Sequence, residues 1–205
     1  MIATVWRLSR SDCKILRVTD PYSIHRIVYS LFPKKEGKSR NFLFADKGGT
    51  FNERIILILS EEQPEKPAYG ELLSKEIPKS FLHQDHYGFE VVINPVIRDS
   101  KTGKIIPIRG KNALLQWFIQ KSPAYGFYVD EDSLSVSETN IIRFKKDSKE
   151  VVLGKAKFTG KLIVIDRELF IKSFSNGLGR AKSFGFGLLQ IVPLQSVSTD
   201  MQEYR

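Results

Sequence analysis

Asn176-Gly177-Leu178-Gly179-Arg180-Ala181-Lys182-Ser183-Phe184-Gly185-Phe186-Gly187-Leu188-Leu189 is the stretch from which the rest of the chain can be ordered. Its four glycines let backbone pass close to a neighbour, and the two cations between them suit phosphate. Upstream, Arg167 to Phe174 reads as a short helix with Asp166 as N-cap and Asn176-Gly177 as its stop. Downstream, Leu188-Leu189-Gln190-Ile191-Val192-Pro193-Leu194 reads as a buried strand ended by proline. The order helix, glycine loop, strand excludes a dinucleotide fold or a P-loop. Both need strand, loop, helix, so that a helix N-terminus faces the phosphates. No Gly-Lys-Ser/Thr occurs, and Lys182 stands where a Gly-x-Gly-x-x-Gly would have its third glycine. A nucleotide cofactor is therefore not expected, and anion affinity falls to Arg180, Lys182 and the loop N–H groups around Gly177 and Gly179.

Working outward, 205 residues with 41% apolar side chains and 14 Phe suffice for one large or two small domains. Lys and Arg number 32 against 23 Asp and Glu, a net +9, which favours a polyanionic partner. The single cysteine, Cys13, excludes a disulfide framework and fits a reducing cytosol as a packing residue. Neither a signal peptide nor a membrane span is apparent, so a cytoplasmic protein without membrane contact is expected.

Two successive mixtures of strand and helix follow along the chain. Ile2–Leu8 alternates as a first strand, and Asp20-Pro21 is a strong helix start, an acid cap followed by proline at the first helical position. That helix runs to about Phe32. Strands are expected near 41–45 and 54–60, the second holding Ile55-Ile56-Leu57-Ile58-Leu59, and a Pro/Glu-rich loop follows from Glu61. The second set begins with a strand from Gly88 to Arg98. It turns at Asp99-Ser100-Lys101-Thr102-Gly103 and returns over Lys104–Arg109 as a hairpin. A helix over 112–120, a strand near 125–129, strands near 140–145 and 151–165, the Arg167 helix and the final strand complete it. The pattern predicts an α+β fold of two compact units, the second with the βαββαβ order shared by RNA-recognition folds.

On the Pro21 helix, Ile24, Ile27, Val28, Leu31 and Phe32 have the spacing of a core stripe at about 100° per residue. Tyr22, His25, Arg26 and Tyr29 fall on the opposite side at i,i+3 and i,i+4 separations, so all four can be neighbours. An isolated surface histidine is the bland alternative. Two tyrosines and an arginine beside it on a basic chain favour a functional face. With RNA as partner, attack by a 2′-hydroxyl on the adjoining phosphate needs a base, an acid and charge compensation at phosphorus. An imidazole, with an ordinary pKa of about 6.5, can be base or acid. Tyr22 can orient or protonate, and Arg26 can hold phosphate in a fork. No metal set is convincing: His83-Gln84-Asp85-His86 lacks further ligands nearby in sequence and reads as a polar turn.

Arg98, Lys101, Lys104, Arg109 and Lys111 cluster on the predicted hairpin, and Lys34 and Lys35 open a second basic run after the Pro21 helix. A solvated strand edge would look similar. Summed with the glycine loop, a duplex or stem-loop footprint explains both runs better. Most phenylalanines of the last third, Phe184 among them, read as core.

Asp20-Pro21-Tyr22-Ser23-Ile24-His25-Arg26, then Leu31-Phe32-Pro33 and Arg40-Asn41-Phe42-Leu43-Phe44, resembles the N-terminal region of the CasE family, the CRISPR RNA-processing endoribonucleases of subtype I-E systems. The likeness continues through Asn94-Pro95-Val96, Gly103-Lys104 and Ile106-Pro107. It ends in the glycine stretch, which marks the wider repeat-associated RNA-binding superfamily. The resemblance implies two tandem ferredoxin-like (RRM-like) domains, here 1–85 and 86–205. It also implies metal-independent cutting of CRISPR repeat stem-loops, leaving a 5′-hydroxyl and a 2′,3′-cyclic phosphate, with the product retained beside other Cascade subunits. By the same resemblance His25 is the principal acid–base group and Tyr22 its helper. Arg26 matches an arginine of some members. A lysine that some place one turn further along is absent, Ser30 standing there, with Lys34 or Lys35 as candidate substitutes. The alternative is a non-catalytic subunit that holds a processed guide RNA. Either way, its separation in sequence from His25 assigns the glycine loop to gripping RNA and leaves chemistry to the first domain.

Overall fold

The computed structural model describes residues 1–33, 41–50 and 52–194. The first unit runs β1 (Ile2–Ser9), α1 (Arg10–Ile15), α2 (Pro21–Ser30), β2 (Phe42–Gly49), β3 (Glu53–Ser60) and β4 (Glu71–Glu76). Its sheet has the order β2-β3-β1-β4 with every neighbour antiparallel. This is the ferredoxin-like arrangement with one substitution. Where a second crossover helix would join β3 to β4, residues 61–70 form an irregular strap. Trp6 Nε1 donates to the Tyr69 carbonyl at 3.1 Å, and Glu65 N–H donates to the Leu31 carbonyl at 2.9 Å, so the strap is pinned to the core it covers. The short helix α1 and the strand β4 were not legible in the sequence.

The run Ile55–Leu59 is apolar without alternation because both faces of the sheet are covered. Ile56 and Ile58 join Trp6, Leu8, Phe44 and the apolar stripe of α2 in one core. Leu57 and Leu59, with Leu43 and Ala45 from β2, point to the opposite face and pack into the core of the second unit. Side chains alternate along a strand, so each of these strands serves two cores.

The second unit runs β5 (His86–Ile93), β6 (Val96–Arg98), β7 (Ile105–Pro107), α3 (Lys111–Lys121), β8 (Phe127–Val129), β9 (Ser135–Lys146), β10 (Lys149–Val164), α4 (Arg167–Asn176) and β11 (Gln190–Pro193). Its sheet order, β11-β5-β10-β8, is again ferredoxin-like, with β9 paired along β10. The expected α+β fold of two ferredoxin-like units is borne out. Two details differ from expectation. The strand expected over Gly88–Arg98 breaks at Asn94-Pro95, because proline has no N–H for a ladder. The strand after the glycine loop is an edge, not a buried strand, and Val192 on it is 66% exposed. An edge tolerates Pro193.

β9 and β10 outrun their sheet. β10 pairs with β5 from Ala156 onward, whereas Lys149–Lys155 pair only with β9. The pair therefore projects as an arm whose tip, Asp147-Ser148, turns with φ of 48° and 65° at its two residues, the geometry of a tight hairpin.

Candidate functional site

Helix α2 is fixed at its N-terminus by a capping box. Asp20 accepts from the Ser23 N–H at 2.7 Å, and Ser23 Oγ accepts from the Asp20 N–H at 3.0 Å. Ile24, Ile27, Val28, Leu31 and Phe32 are all buried, as the periodicity requires. The opposite face carries a half-buried aromatic row. The Tyr22 and His25 rings stack with centroids 5.6 Å apart, His25 and Tyr29 lie 3.9 Å apart, and the Arg26 guanidinium sits 5.8 Å from the Tyr22 ring. The four side chains expected to be neighbours are neighbours.

The second wall comes from the glycine loop. Gly177 ends α4, and the loop passes through a single turn at Lys182–Phe184, flanked by Ala181 (φ 64°) and Gly185 (φ 85°). That turn places the Ser183 carbonyl 2.7 Å from His25 Nδ1. A carbonyl can only accept, so Nδ1 carries a proton, and when the ring is neutral its lone pair lies on Nε2. The Phe184 ring lies 5.6 Å from His25 and 4.8 Å from Phe144 of the arm. Lys146, beside the arm's tip, holds its ammonium 6.0 Å from the Phe184 ring. Tyr22 Oη reaches Asp147 Oδ1 at 3.4 Å. Three elements far apart in sequence thus meet at one histidine.

This corrects the assignment of the loop to RNA gripping alone, because its backbone holds the candidate base. It also revises the reason for the glycines. A Cβ on Gly187 would lie 2.2 Å from the Leu178 carbonyl oxygen, one on Gly177 2.8 Å from Leu43, and one on Gly185 3.0 Å from Phe44. Gly177 and Gly185 come close to the protein's own first unit, and Gly187 to the loop's own Leu178. Gly177 is buried there, and Gly179 lies against Ile93. Arg180 is exposed, while Lys182 is half-buried, and that burial pushes its ammonium pKa down.

The remaining candidate residues stand elsewhere. Arg98, Lys101, Lys104, Arg109 and Lys111 are exposed on or beside the β6–β7 hairpin, which forms a sheet of its own. Its turn is held by Asp99, whose carboxylate accepts from the Thr102 hydroxyl and the Thr102 and Lys101 N–H groups, and these bonds lower its pKa. Lys34 and Lys35 lie outside the described residues. Among the described residues no group of three or more His, Cys, Asp or Glu could hold a metal ion. In the His83–His86 turn, Asp85 pairs with Arg167, which also donates to the Leu82 carbonyl, so the turn staples α4 to β5. Cys13 packs against the first core, and burial pushes its thiol pKa up. No described helix is long and apolar enough to cross a membrane. Sequence reading missed Ser183, Phe184, Phe144, Lys146 and Asp147. With 158 residues between Ser183 and His25, no local pattern could have joined them.

Two ferredoxin-like units that clasp a histidine between a helix face and a glycine loop define the class of this fold and site. The chain belongs to the CRISPR-associated protein family, whose model matches residues 4–193. It is similar to the CRISPR-associated endoribonuclease Cse3 of Thermus thermophilus, at 22% identity over 193 residues, covering 86% of this chain and 92% of the relative. It is also similar to the CRISPR system Cascade subunit CasE of Escherichia coli (strain K12), at 28% identity over 189 residues, 85% of this chain and 93% of the relative. Among solved structures, Cse3 bound to 19 nt RNA superposes with a TM-score of 0.81 at 21% identity, covering 94% of this chain and all of that one. Cas6e from E. coli K-12 superposes at 0.72 and 22% identity, covering 95% and 100%. The CasE resemblance carried by the sequence motifs is borne out.

Proposed function

We propose that this protein is a CRISPR repeat-specific endoribonuclease acting in the cytoplasm, with units 1–85 and 86–205, and that it stays with its product beside other Cascade subunits. The observation that carries the reading is the bond from His25 Nδ1 to the Ser183 carbonyl, which leaves Nε2 as the proton acceptor on a face shared with Tyr22 and Arg26. In the reaction, Nε2 takes the proton of a 2′-hydroxyl as its oxygen attacks the adjoining phosphorus. The P–O5′ bond breaks, and the leaving oxygen takes a proton from the imidazolium or from the Tyr22 phenol. The products are a 2′,3′-cyclic phosphate and a 5′-hydroxyl. Arg26 and Lys146 offset charge at phosphorus, and the exposed β6–β7 hairpin, with Arg180 and Lys182 of the glycine loop, grips the RNA. The family membership and the named activities of the relatives support this reading.

Single-turnover cleavage of the repeat RNA from the locus next to the gene, in EDTA, tests it. His25→Ala should lose roughly 10²–10⁴ in rate. Cleavage near the wild-type rate, or products with 5′-phosphates, would sink the assignment. A non-catalytic guide-holding subunit would shift the same RNA on a gel without shortening it.

A further inference from the structure

A cavity of about 220 Å³ opens beside Ser183, lined by residues of both units. Its walls include Tyr29 and Phe42 from the first unit and Asn176, Lys182 and Ser183 from the second, with Asn41 at its edge. Two of these residues also touch the candidate base: Tyr29 through its ring at 3.9 Å and Ser183 through its carbonyl at 2.7 Å. Whatever fills the cavity therefore adjoins the scissile position. Lys182 is the informative residue. It is half-buried, yet among the described residues no carboxylate lies within ion-pair distance of its ammonium. The carboxylate that shares the cavity, Glu61, instead accepts from Asn41 Nδ2 at 3.2 Å. A desolvated cation without a counter-ion is costly unless a ligand supplies the anion. Beside it, the exposed Asn176 amide offers a hydrogen-bonding edge and the lining aromatic residues offer apolar surface, the means by which single-stranded bases are recognised.

Resting on the endoribonuclease reading, we propose that this cavity is a nucleotide subsite: it takes one unpaired nucleotide adjoining the scissile phosphate, with that nucleotide's phosphate on Lys182 and its base between the aromatic and amide walls. The subsite supplies the half-buried lysine with a counter-ion. It also gives the loop two tasks at one turn, since Lys182 binds the flanking nucleotide and Ser183, its neighbour, orients the base.

The test uses the adjacent-locus repeat RNA with a 2′-deoxy substitution at the cut, plus two versions made abasic immediately 5′ or 3′ of it. Lys182→Met removes the charge while keeping the stem, and the folded state should tolerate it because burial disfavours the ammonium. Wild-type protein should bind one abasic RNA roughly ten- to hundredfold more weakly than the intact one. Lys182→Met should bind the intact RNA weaker by a similar factor and lose little more on that same abasic RNA. Asn176→Ala, whose side chain is exposed and so tolerant to change, should show the same non-additivity in smaller measure. Additive losses at both positions, or wild-type affinity in Lys182→Met, would overturn the subsite while leaving the nuclease reading intact. Wild-type protein that cannot cut the unmodified repeat would overturn both.

Discussion

Replacing Gly185 with alanine tests whether the second unit controls the first unit's histidine. Gly185 sits two residues beyond Ser183 with φ of 85°, where an alanine costs about 1–2 kcal/mol of backbone strain. The new Cβ would lie 3.0 Å from Phe44 Cε2, and Phe44, 1% exposed in the first core, has no room to retreat. The loop must therefore shift, and the Ser183 carbonyl moves with it. Losing the Nδ1 bond forfeits about 0.5–1.5 kcal/mol and frees the ring to take the wrong tautomer. Single-turnover cleavage at saturating protein should fall roughly threefold to tenfold. Gly103→Ala is the control. Its φ of 67° carries similar strain, but the added Cβ meets nothing within 4 Å. Both variants should lower Tm by a few degrees, at roughly 2–4 °C per kcal/mol for a chain of this size. Only Gly185→Ala should slow cleavage. Equal cleavage rates at equal Tm losses would refute positioning by the loop.

Arg180→Ala should weaken RNA binding more than it slows cleavage of the saturated complex, and the log–log salt slope should fall by about one unit; unchanged affinity at moderate salt contradicts it. Asp20→Ala removes the cap of α2 and should cost about 0.5–2 kcal/mol in denaturant unfolding. Glu138, bonded by Lys157 and Lys155, has its pKa pushed down to about 2 from 4.5. A depressed carboxylate stabilises the folded state above its unfolded pKa, and that contribution fades as pH falls from about 4.5 toward 2. Because Glu138 is 45% exposed, Glu138→Gln should cost under about 1 kcal/mol at neutral pH and nothing near pH 2, read from urea midpoints across pH. Cys13, with its pKa raised by burial, should react with a thiol reagent at pH 8 well below the rate of free cysteine.

Helix α2 could be read in full because everything that fixes it is local: its cap, its proline, its apolar stripe and the polar face behind that stripe. The glycine loop was legible as a close approach of backbone, but not the surface it approaches, since Leu43 and Phe44 come from the other unit. The strap over 61–70 read as a Pro/Glu-rich loop, as it is, but its two pinning bonds leave no periodic trace. The arm was hidden for a different reason. Its strands are long, 12 and 16 residues, but only the pairing register shows that their distal halves leave the sheet. Phe184 read as core because a ring wedged between a histidine and an arm has the same composition as one buried in a sheet.

The doubly covered strands β2 and β3 also set an order of events during synthesis. Leu43, Ala45, Leu57 and Leu59 emerge early, yet the surface that shelters them includes Leu178, Leu188 and Leu189, more than a hundred residues later. At roughly 5–20 residues per second, the ribosome leaves that apolar sheet face bare for about 6–30 s. A nascent chain in that interval is a client for holding chaperones, and slowing translation downstream of residue 85 should raise the fraction lost to aggregation before the second half arrives.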